Sequence, residues 1–319
     1  MNTFVHRTGK CVRRALPKAG KTCLWLLKII LPVSLGVQLL RYAGWLDLPA
    51  QSMEALFALV GLPGETALVF LTSVFCPLYA PLALIASLDL NLRQATLLSL
   101  MCLVAHNLPV ESSVQARTGS RFWEMTLLRL VMSFVIAFGL NQIMPQHGWG
   151  TLGEVTPREM PANLPALLAQ WLADSSGVVI RILLIVTALM ILHHILEEFR
   201  LMHRLSTALA PLMRLLGLPP DTAFLWLVGN LVGLAYGGAV MVEQMEQKQL
   251  TRRNGNLLNY HLAVNHSMLE DTLIFVAIGI PAGWILLPRL LLACVIVWMR
   301  RLYNRIHASQ KKKTRHEQR

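Results

Sequence analysis

The sequence contains few charged residues and few cysteines, and these shortages exclude several classes of protein. Only 14% of its 319 residues are charged, whereas a soluble domain usually carries about 25%. The five cysteines are scattered without a C-x-x-C pair, so neither a disulfide framework nor a zinc site is indicated. The sequence has no G-x-x-x-x-G-K-[ST] nucleotide loop and no evident nucleophile–base arrangement. We therefore predict that the protein is not an enzyme.

Hydrophobic residues are abundant instead. They make up 55% of the chain, and the mean hydropathy is +0.51. A helix needs roughly 20 apolar residues to cross a bilayer, and four runs approach that length: 23–45, 125–144, 178–196 and 284–299. Two further runs, 66–88 and 222–242, are as long but interrupted. The composition predicts an all-α integral membrane protein.

The net charge of +12 is concentrated at the two ends of the chain. The basic residues before the first apolar run are Arg7, Lys10, Arg13, Arg14, Lys18 and Lys21. Those after the last run are Arg300, Arg301, Arg305, Lys311, Lys312, Lys313, Arg315 and Arg319. Basic flanks predict that both termini are cytoplasmic, in a bacterial inner membrane, where they can contact anionic lipid heads. This distribution does not indicate nucleic-acid binding, and the long basic region is unlike a cleavable signal peptide.

Three matches in the same order indicate that the chain is a duplication. "GLPGETALVFL" from Gly61 matches "GLPPDTAFLWL" from Gly217, and "RLVMSFVI" from Arg129 matches "RLLLACVI" from Arg289. Between them, "LVAHNLPVESS" at 103–113 resembles "LAVNHSMLEDT" at 262–272, with the order of His and Asn reversed. The predicted organisation is a basic N-terminal segment at 1–21, repeats at 22–145 and 176–301, a periplasmic linker at 146–175, and a basic tail at 302–319.

The charges also predict how the repeats cross the membrane. The linker carries one basic residue, Arg158, which places it outside, so the two repeats have inverted topology. If runs 66–88 and 222–242 were ordinary spans, the basic stretch 243–256 would lie outside as well. We therefore interpret both runs as re-entrant hairpins, which turn around Pro77 and Gly237. The prediction is six spanning helices, two hairpins, and interfacial helices near 52–61 and 206–217.

The stretch "GLPGETALVFLTSVFCPLYAPLALIASLDLNLRQATLLSLMCLVAHNLPVESS" and its counterpart from Gly217 resemble the nucleoside-recognition, or Gate, domain family. Gate domains occur in concentrative nucleoside transporters, in ferrous-iron transporters and in spore maturation proteins A and B. The resemblance covers most of the chain as two copies and is closest to the spore maturation type. It implies a helical membrane protein with inverted repeats, hairpins and a central solute site. It supplies no established substrate.

Polar residues inside apolar sequence are the candidate site. An Asp at the centre of a spanning helix costs roughly 2.5 to 3.5 kcal/mol on insertion scales, so such residues suggest a function. We expect Pro109 to break its helix and free backbone groups for a solute or ion. The candidate binding residues are His106, Asn107, Glu111, Ser112, Ser113, Asn265, His266, Glu270, Asp271 and Thr272, with Tyr79, Asn230 and Tyr236 from the hairpins.

Structural roles remain open for the same residues. Glu111 and Glu270 can lie near the membrane surface, the histidines can stabilise the break, and the tyrosines can be packing residues. Arg129 and Arg289 are expected to pair inside the protein rather than to contact solute. A separate, weaker metal candidate comprises His193, His194, Glu197 and Glu198, with His and Glu four residues apart on one helix. No counterpart in the first repeat supports it.

These features favour a secondary transporter for a small polar solute, coupled to H⁺ or Na⁺ and needing no other cofactor. A nucleoside, an amino acid and a metal ion suit the polar lining about equally. The alternative is a membrane assembly or regulatory protein that does not transport, and an intramembrane enzyme is a weaker third hypothesis. A homo-oligomer is compatible with the sequence.

Overall fold

The computed structural model describes residues 2–43, 47–85, 88–150 and 163–317. In these ranges the chain forms fourteen α-helices, a short 3-10 turn at Pro220–Thr222 and no β-strand, which confirms the all-α prediction. The helices are α1 (Asn2–Tyr42), α2 (Asp47–Ala58), α3 (Thr66–Phe75), α4 (Tyr79–Ile85), α5 (Leu92–Ala105), α6 (Leu108–Arg117), α7 (Phe122–Ile143), α8 (Leu164–Glu198), α9 (Leu201–Leu215), α10 (Ala223–Leu231), α11 (Leu234–Glu246), α12 (Arg252–Leu262), α13 (Met268–Ala277) and α14 (Ala282–Glu317).

Two helices in the described ranges are long and apolar enough to cross a membrane. They are α7 and the part of α14 at Ala282–His307, with mean hydropathies of 1.6 and 2.0. Each presents exposed apolar side chains at intervals of three or four residues: Leu127, Val131, Val135 and Phe138 on α7, and Leu287, Leu291, Val295 and Trp298 on α14. Such a stripe lies on one face of a helix. An exposed apolar face on a span-length helix is suited to contact with lipid.

Helices α5 and α6 together form a third candidate span, bent by 41° at His106 and Asn107. Asn107 has a φ of 46°, and its backbone N–H donates to the Ser73 carbonyl at 2.8 Å. The expected break therefore exists, but its cause differs from the prediction. Pro109 lies in the first turn of α6, where a helix needs no N–H donor. The left-handed residue Asn107 makes the break.

The second half has a matching break between α12 and α13. Ser267 has a φ of 48°, and its backbone N–H donates to the Gly229 carbonyl at 3.0 Å. Ser267 lies 160 positions after Asn107, and no proline is present at this break. The same backbone conformation and the same type of hydrogen bond therefore recur in both halves.

Other positions also correspond between the halves. Helices α5, α6 and α7 are followed 160 positions later by α12, α13 and α14, which start at the equivalent residues. Asn91 and Thr251 cap α5 and α12 through the same side-chain-to-backbone contact. Equal left-handed φ values occur at four glycines: 76° at Gly61 and Gly217, and 104° at Gly119 and Gly279. Shared turns, caps and helix starts indicate a common local fold in the two halves.

The two interrupted apolar runs form helix pairs, α3 with α4 and α10 with α11. Pro77 lies in the connection between α3 and α4, where the turn was predicted. The second turn was predicted in "GLAYGG", residues 233–238, around Gly237. The break between α10 and α11 lies at the first residue of that stretch, Gly233, which has a φ of 96°, whereas Gly237 lies inside α11. Gly237 instead allows close packing, since a Cβ there would lie 3.1 Å from the Cα of Gly229.

The remaining long helices, α1 and α8, pack against each other. The apolar run 178–196 lies in α8. The run 23–45 lies in α1 as far as Tyr42, and its last two residues, 44 and 45, are outside the described ranges. Arg7 joins the two helices, with its Nε 3.0 Å from Oε1 of Glu198. Helix α1 continues through residue 21, and α8 begins at Leu164, inside the predicted linker.

Candidate functional site

The two breaks bring His106 and His266 face to face. Their Nε2 atoms are 3.2 Å apart and their ring centroids 4.9 Å apart, and the residues are 5% and 0% exposed. His266 lies 160 positions after His106, so it occupies the equivalent position. The reversed order in the sequence arises because Ser267 takes the position equivalent to Asn107, and Asn265 that of Ala105.

The other nitrogen of each imidazole faces backbone carbonyls. His106 Nδ1 is 3.1 Å from the Cys102 carbonyl oxygen, and His266 Nδ1 is 2.8 Å from that of Leu262. A carbonyl only accepts, so Nδ1 carries the hydrogen in both rings. In a neutral imidazole of this tautomer Nε2 is an acceptor. Both rings therefore direct an Nε2 acceptor toward the space between them.

Glu111 places a carboxylate against the same pair of nitrogens. It lies in the first turn of α6 and is 8% exposed. Its Oε1 is 3.1 Å from His106 Nε2, and its Oε2 is 3.2 Å from His266 Nε2. Arg129 Nη1 is 2.5 Å from Oε2. Glu111 thus belongs to a buried cluster to which both halves contribute.

Two buried arginines hold the carbonyls that the breaks leave without helical partners. Arg129 donates from Nε to the Val104 carbonyl at 2.8 Å and from Nη2 to that of His106 at 2.9 Å. Arg289 contacts the carbonyls of Val264 and His266 in the same way, at 3.2 and 2.6 Å. Freed carbonyls at a helix end need donors. Both arginines are therefore paired internally, as expected.

The carboxylate equivalent to Glu111 is Asp271 rather than Glu270. Its Oδ2 is 4.0 Å from Arg289 Nη2, and it has no hydrogen-bond partner among the described residues. One carboxylate oxygen of Asp271 lies within 4.8 Å of ligand nitrogens on both His106 and His266. The pairing in the second half is therefore looser than that of Glu111 with Arg129.

Several other polar atoms in the second half have no partner among the described residues. They are both side-chain amide atoms of Asn265, Oγ1 of Thr272 and Oδ1 of Asn230. Asn230 does donate from Nδ2 to the Trp226 carbonyl at 2.9 Å. A buried polar group without a partner costs about 1–3 kcal/mol. These atoms are the ones best suited to bind a polar solute.

Tyr79 joins the first half to the second through Glu270. The Tyr79 hydroxyl donates to Glu270 Oε1 at 2.8 Å. Tyr79 begins α4 and is 9% exposed, whereas Glu270 lies in the first turn of α13 and is partly buried. This hydrogen bond spans two helices that the sequence assigns to different repeats.

The remaining candidates occupy different environments. Ser112 is buried and accepts from Thr126 Oγ1 at 2.9 Å. Ser113 is exposed and donates to the Pro109 carbonyl at 2.6 Å. Tyr236 is 49% exposed, and Asn107 is partly buried at the break. Ser113 and Tyr236 are thus not buried with the histidine cluster.

The weaker metal candidate, on α8, lies only partly within the described residues. The side chains of His193 and Glu197 lie outside the described residues, and His194 is partly buried. Glu198 accepts from Arg7 Nε at 3.0 Å. Its carboxylate is therefore engaged in the contact between α1 and α8.

One buried residue that connects the halves was missed by the sequence interpretation. Asn259 donates from Nδ2 to the carbonyls of Gln115 and Thr118, both at 3.1 Å. Gln115 donates back from Nε2 to the Asn259 carbonyl at 3.1 Å. The position equivalent to Asn259 in the first half is Ser99, so the repeat gives no signal for this clamp between α6 and α12.

Span-length apolar helices with buried charge at broken segments define a helical membrane protein. Residues 179–287 match the Gate family model, described as nucleoside recognition. The chain is also 31% identical over 283 residues to the uncharacterized membrane protein YvoD of Bacillus subtilis (strain 168), covering 87% of this chain and 90% of that protein. The chain belongs to the Gate family. No solved structure is significantly similar to it.

The family assignment confirms the resemblance found in the sequence. The matched region contains His266, Asp271 and the unpartnered side-chain atoms of Asn230, Asn265 and Thr272. It does not include His106, Glu111 or Arg129. A second Gate unit in the first half therefore stays a prediction.

Proposed function

We propose that the protein is a secondary transporter of the bacterial inner membrane, with both termini cytoplasmic, that carries a small polar solute. The observation on which this proposal rests is the buried cluster of His106, Glu111 and His266 at two helix breaks. Ionisable residues in a membrane interior are costly and typically mark solute or ion pathways. The cluster takes its residues from both halves, so a movement of one half against the other would open it.

The proposed transport unit is a pair of Gate repeats with inverted topology, six spanning helices and two re-entrant hairpins. The equal left-handed turns at Asn107 and Ser267 support the repeat. The helix pairs α3–α4 and α10–α11 support the hairpins, because the first helix of each pair ends after about ten residues and contacts the second. At 1.5 Å per residue an arm of this length reaches only about halfway through a bilayer of roughly 30 Å.

The solute would bind on the side of the second half. Asn230, Asn265 and Thr272 offer amide and hydroxyl atoms, and Asp271 offers a carboxylate oxygen. Binding would satisfy these atoms and remove the cost of burying them unpaired. The first half, in which Arg129 holds Glu111, would supply His106 and Glu111 to the same site. Coupling to an H⁺ or Na⁺ gradient would drive transport.

The proposal is tested with the purified full-length protein in proteoliposomes. Labelled nucleosides, amino acids and divalent ions would be offered with and without imposed H⁺ and Na⁺ gradients. We expect saturable uptake of one class, strongly reduced in Asn265→Ala. The exposed Ser113→Ala is the matched control and should transport normally. Normal transport by Asn265→Ala would remove the proposed solute site.

A membrane assembly or regulatory protein without transport is the second candidate. The contacts that tie the halves together favour it, because Asn259 clamps α6 to α12 and Tyr79 bonds Glu270. Such contacts suit a rigid scaffold. The same experiment separates the two functions, since a scaffold would give no uptake of any solute class under any gradient.

A further inference from the structure

Three acceptor groups meet at the centre of the molecule. The Nε2 atoms of His106 and His266 and the carboxylate of Glu111 lie 3.1–3.2 Å from one another. Both Nδ1 atoms face carbonyl oxygens, so neither ring can turn its only hydrogen toward the centre. Acceptors this close repel one another unless a positive species lies between them. Arg129 lies 2.5 Å from Oε2 of Glu111 and balances that carboxylate on one side. The two Nε2 atoms, 3.2 Å apart, still need a proton or a metal cation between them.

We propose that His106, His266 and Glu111 bind a single divalent transition-metal cation, with Asp271 as the fourth ligand. The metal ion would then be the transported solute, and that part of the inference rests on the proposed function. Binding of the ion to the purified protein can be measured without any transport assay.

The distances between the ligand atoms fit one ion. Zinc lies about 2.0–2.1 Å from histidine nitrogens and about 2.0–2.2 Å from carboxylate oxygens, and two ligands at tetrahedral angles are then about 3.3–3.4 Å apart. The observed separations of 3.1–3.2 Å among the two Nε2 atoms and the Glu111 oxygens are close to this value. Asp271 offers an oxygen within 4.8 Å of both nitrogens, so a small movement brings it to the ion.

The surroundings of the two histidines are those of metal ligands. A ligating histidine usually donates its other ring nitrogen to a carbonyl or carboxylate, which fixes the tautomer and the ring orientation. His106 meets this condition at Cys102 and His266 at Leu262. The left-handed turns place both rings at the ends of helices held by Arg129 and Arg289. The ligands are therefore oriented before any ion binds.

The donor set and the charge favour a transition metal over other cations. Mg²⁺ and Ca²⁺ prefer oxygen ligands alone, whereas imidazole suits zinc, copper, iron and nickel. Glu111 and Asp271 supply two negative charges. Arg129 and Arg289 each give two of their donors to backbone carbonyls at the breaks, where the C-terminal ends of α5 and α12 favour positive charge. Arg129 also contacts Oε2 of Glu111 through Nη1, at 2.5 Å, so Oε1 of Glu111 and the loosely paired Asp271 carboxylate are the oxygens left for the ion.

Burial links metal binding to a conformational change. His106, Glu111 and His266 are at most 8% exposed, so an ion can enter or leave only when some of the surrounding protein moves. This is the property that a transported ion requires. A resident structural ion would not exchange on the timescale of transport.

The test uses the untagged full-length protein, stripped with a chelator and equilibrated with Zn²⁺ or Co²⁺. We expect one ion per chain by elemental analysis and a visible absorption spectrum typical of low-coordinate Co²⁺. His266→Asn and Glu111→Gln should weaken binding at least tenfold. His147→Asn, which removes an exposed histidine, should bind as the wild type does. Thermal unfolding and gel filtration show whether each variant is folded.

Several results would overturn the proposal. One is binding no stronger than that of a variant without His106 and His266, and another is a folded His266→Asn protein that still binds one ion. If both buried variants fail to fold, the test is the melting temperature of the wild type. Stoichiometric Zn²⁺ should raise it, and an unchanged melting temperature would overturn the proposal. If no metal binds while the histidine pair titrates with one proton by NMR, the cluster is a proton site. Organic-solute uptake without metal binding refutes the metal site alone, and metal binding without any uptake refutes transport alone.

Discussion

Arg289 contacts the carbonyls of Val264 and His266 as Arg129 contacts those of Val104 and His106, 160 positions earlier. The two arginines differ in their carboxylates. Arg129 is 2.5 Å from Glu111, whereas Arg289 is 4.0 Å from Asp271. The halves therefore share one backbone solution at the break but differ in how tightly their buried charges are paired.

This difference predicts unequal effects of removing the arginines. Arg129→Met leaves the Glu111 carboxylate without its closest cation and should lower the free energy of unfolding by about 3–5 kcal/mol. Arg289→Met mainly leaves two carbonyls without donors and should cost roughly 1–3 kcal/mol. Denaturant unfolding of both variants in the same detergent measures the difference. An equal or larger loss for Arg289→Met would contradict the assigned asymmetry.

The hydrogen bond between Tyr79 and Glu270 should couple the two halves energetically. In a double-mutant cycle, Tyr79→Phe and Glu270→Gln should show an interaction energy of about 0.5–3 kcal/mol, because both variants remove the same contact. Tyr42→Phe, at an exposed position, is the control and should change the unfolding free energy by no more than about 0.5 kcal/mol. Strictly additive effects of the two central substitutions would show that the contact contributes nothing.

Gly233 should tolerate a side chain poorly. Its φ of 96° is a conformation that residues with a Cβ rarely adopt, so Gly233→Ala should cost about 1–3 kcal/mol. Gly139 lies within α7, and a Cβ there meets no atom within 4 Å. Gly139→Ala is therefore the matched control, expected to unfold within about 0.5 kcal/mol of the wild type. If Gly233→Ala melted like the wild type, the left-handed turn at Gly233 would be contradicted.

The proposed topology is tested by cysteine labelling in a variant without the five native cysteines. Both test positions, Gln146 and Gln249, are exposed. An impermeant reagent added to intact cells should label Gln146→Cys, in the predicted periplasmic linker. It should label Gln249→Cys only after the membrane is opened. Labelling of Gln249→Cys in intact cells would rule out the hairpins, because the segment after α11 would then lie outside.

The features that could be predicted from sequence were those that local physics determines. Apolar length gives α7 and α14, and Pro77 marks the connection between α3 and α4 because proline is unsuited to a continuous helix. Buried His and Glu in apolar sequence identified the region of the central cluster. These signals lie within a few residues of the feature that they predict.

The sequence predictions were wrong or incomplete where contacts between distant parts of the chain determine the structure. Gly237 looks like a turn residue, but it serves close packing against Gly229, and the left-handed Gly233 makes the turn. The order of His and Asn suggested that the two residues had exchanged places. In the structure, His106 and His266 occupy equivalent positions, and so do Glu111 and Asp271. Asn259 could not be predicted at all, because its partners lie more than 140 positions away.

In the proposed transporter, solute passes through the cluster of His106, Glu111 and His266. The most direct measurement compares the wild type with Glu111→Gln in proteoliposomes, at equal amounts of folded protein, for nucleosides, amino acids and Zn²⁺. We predict saturable, gradient-dependent uptake of one solute class by the wild type and at least a tenfold slower rate for Glu111→Gln. Equal uptake by the two proteins, or no uptake of any class by the wild type, would contradict transport through this cluster.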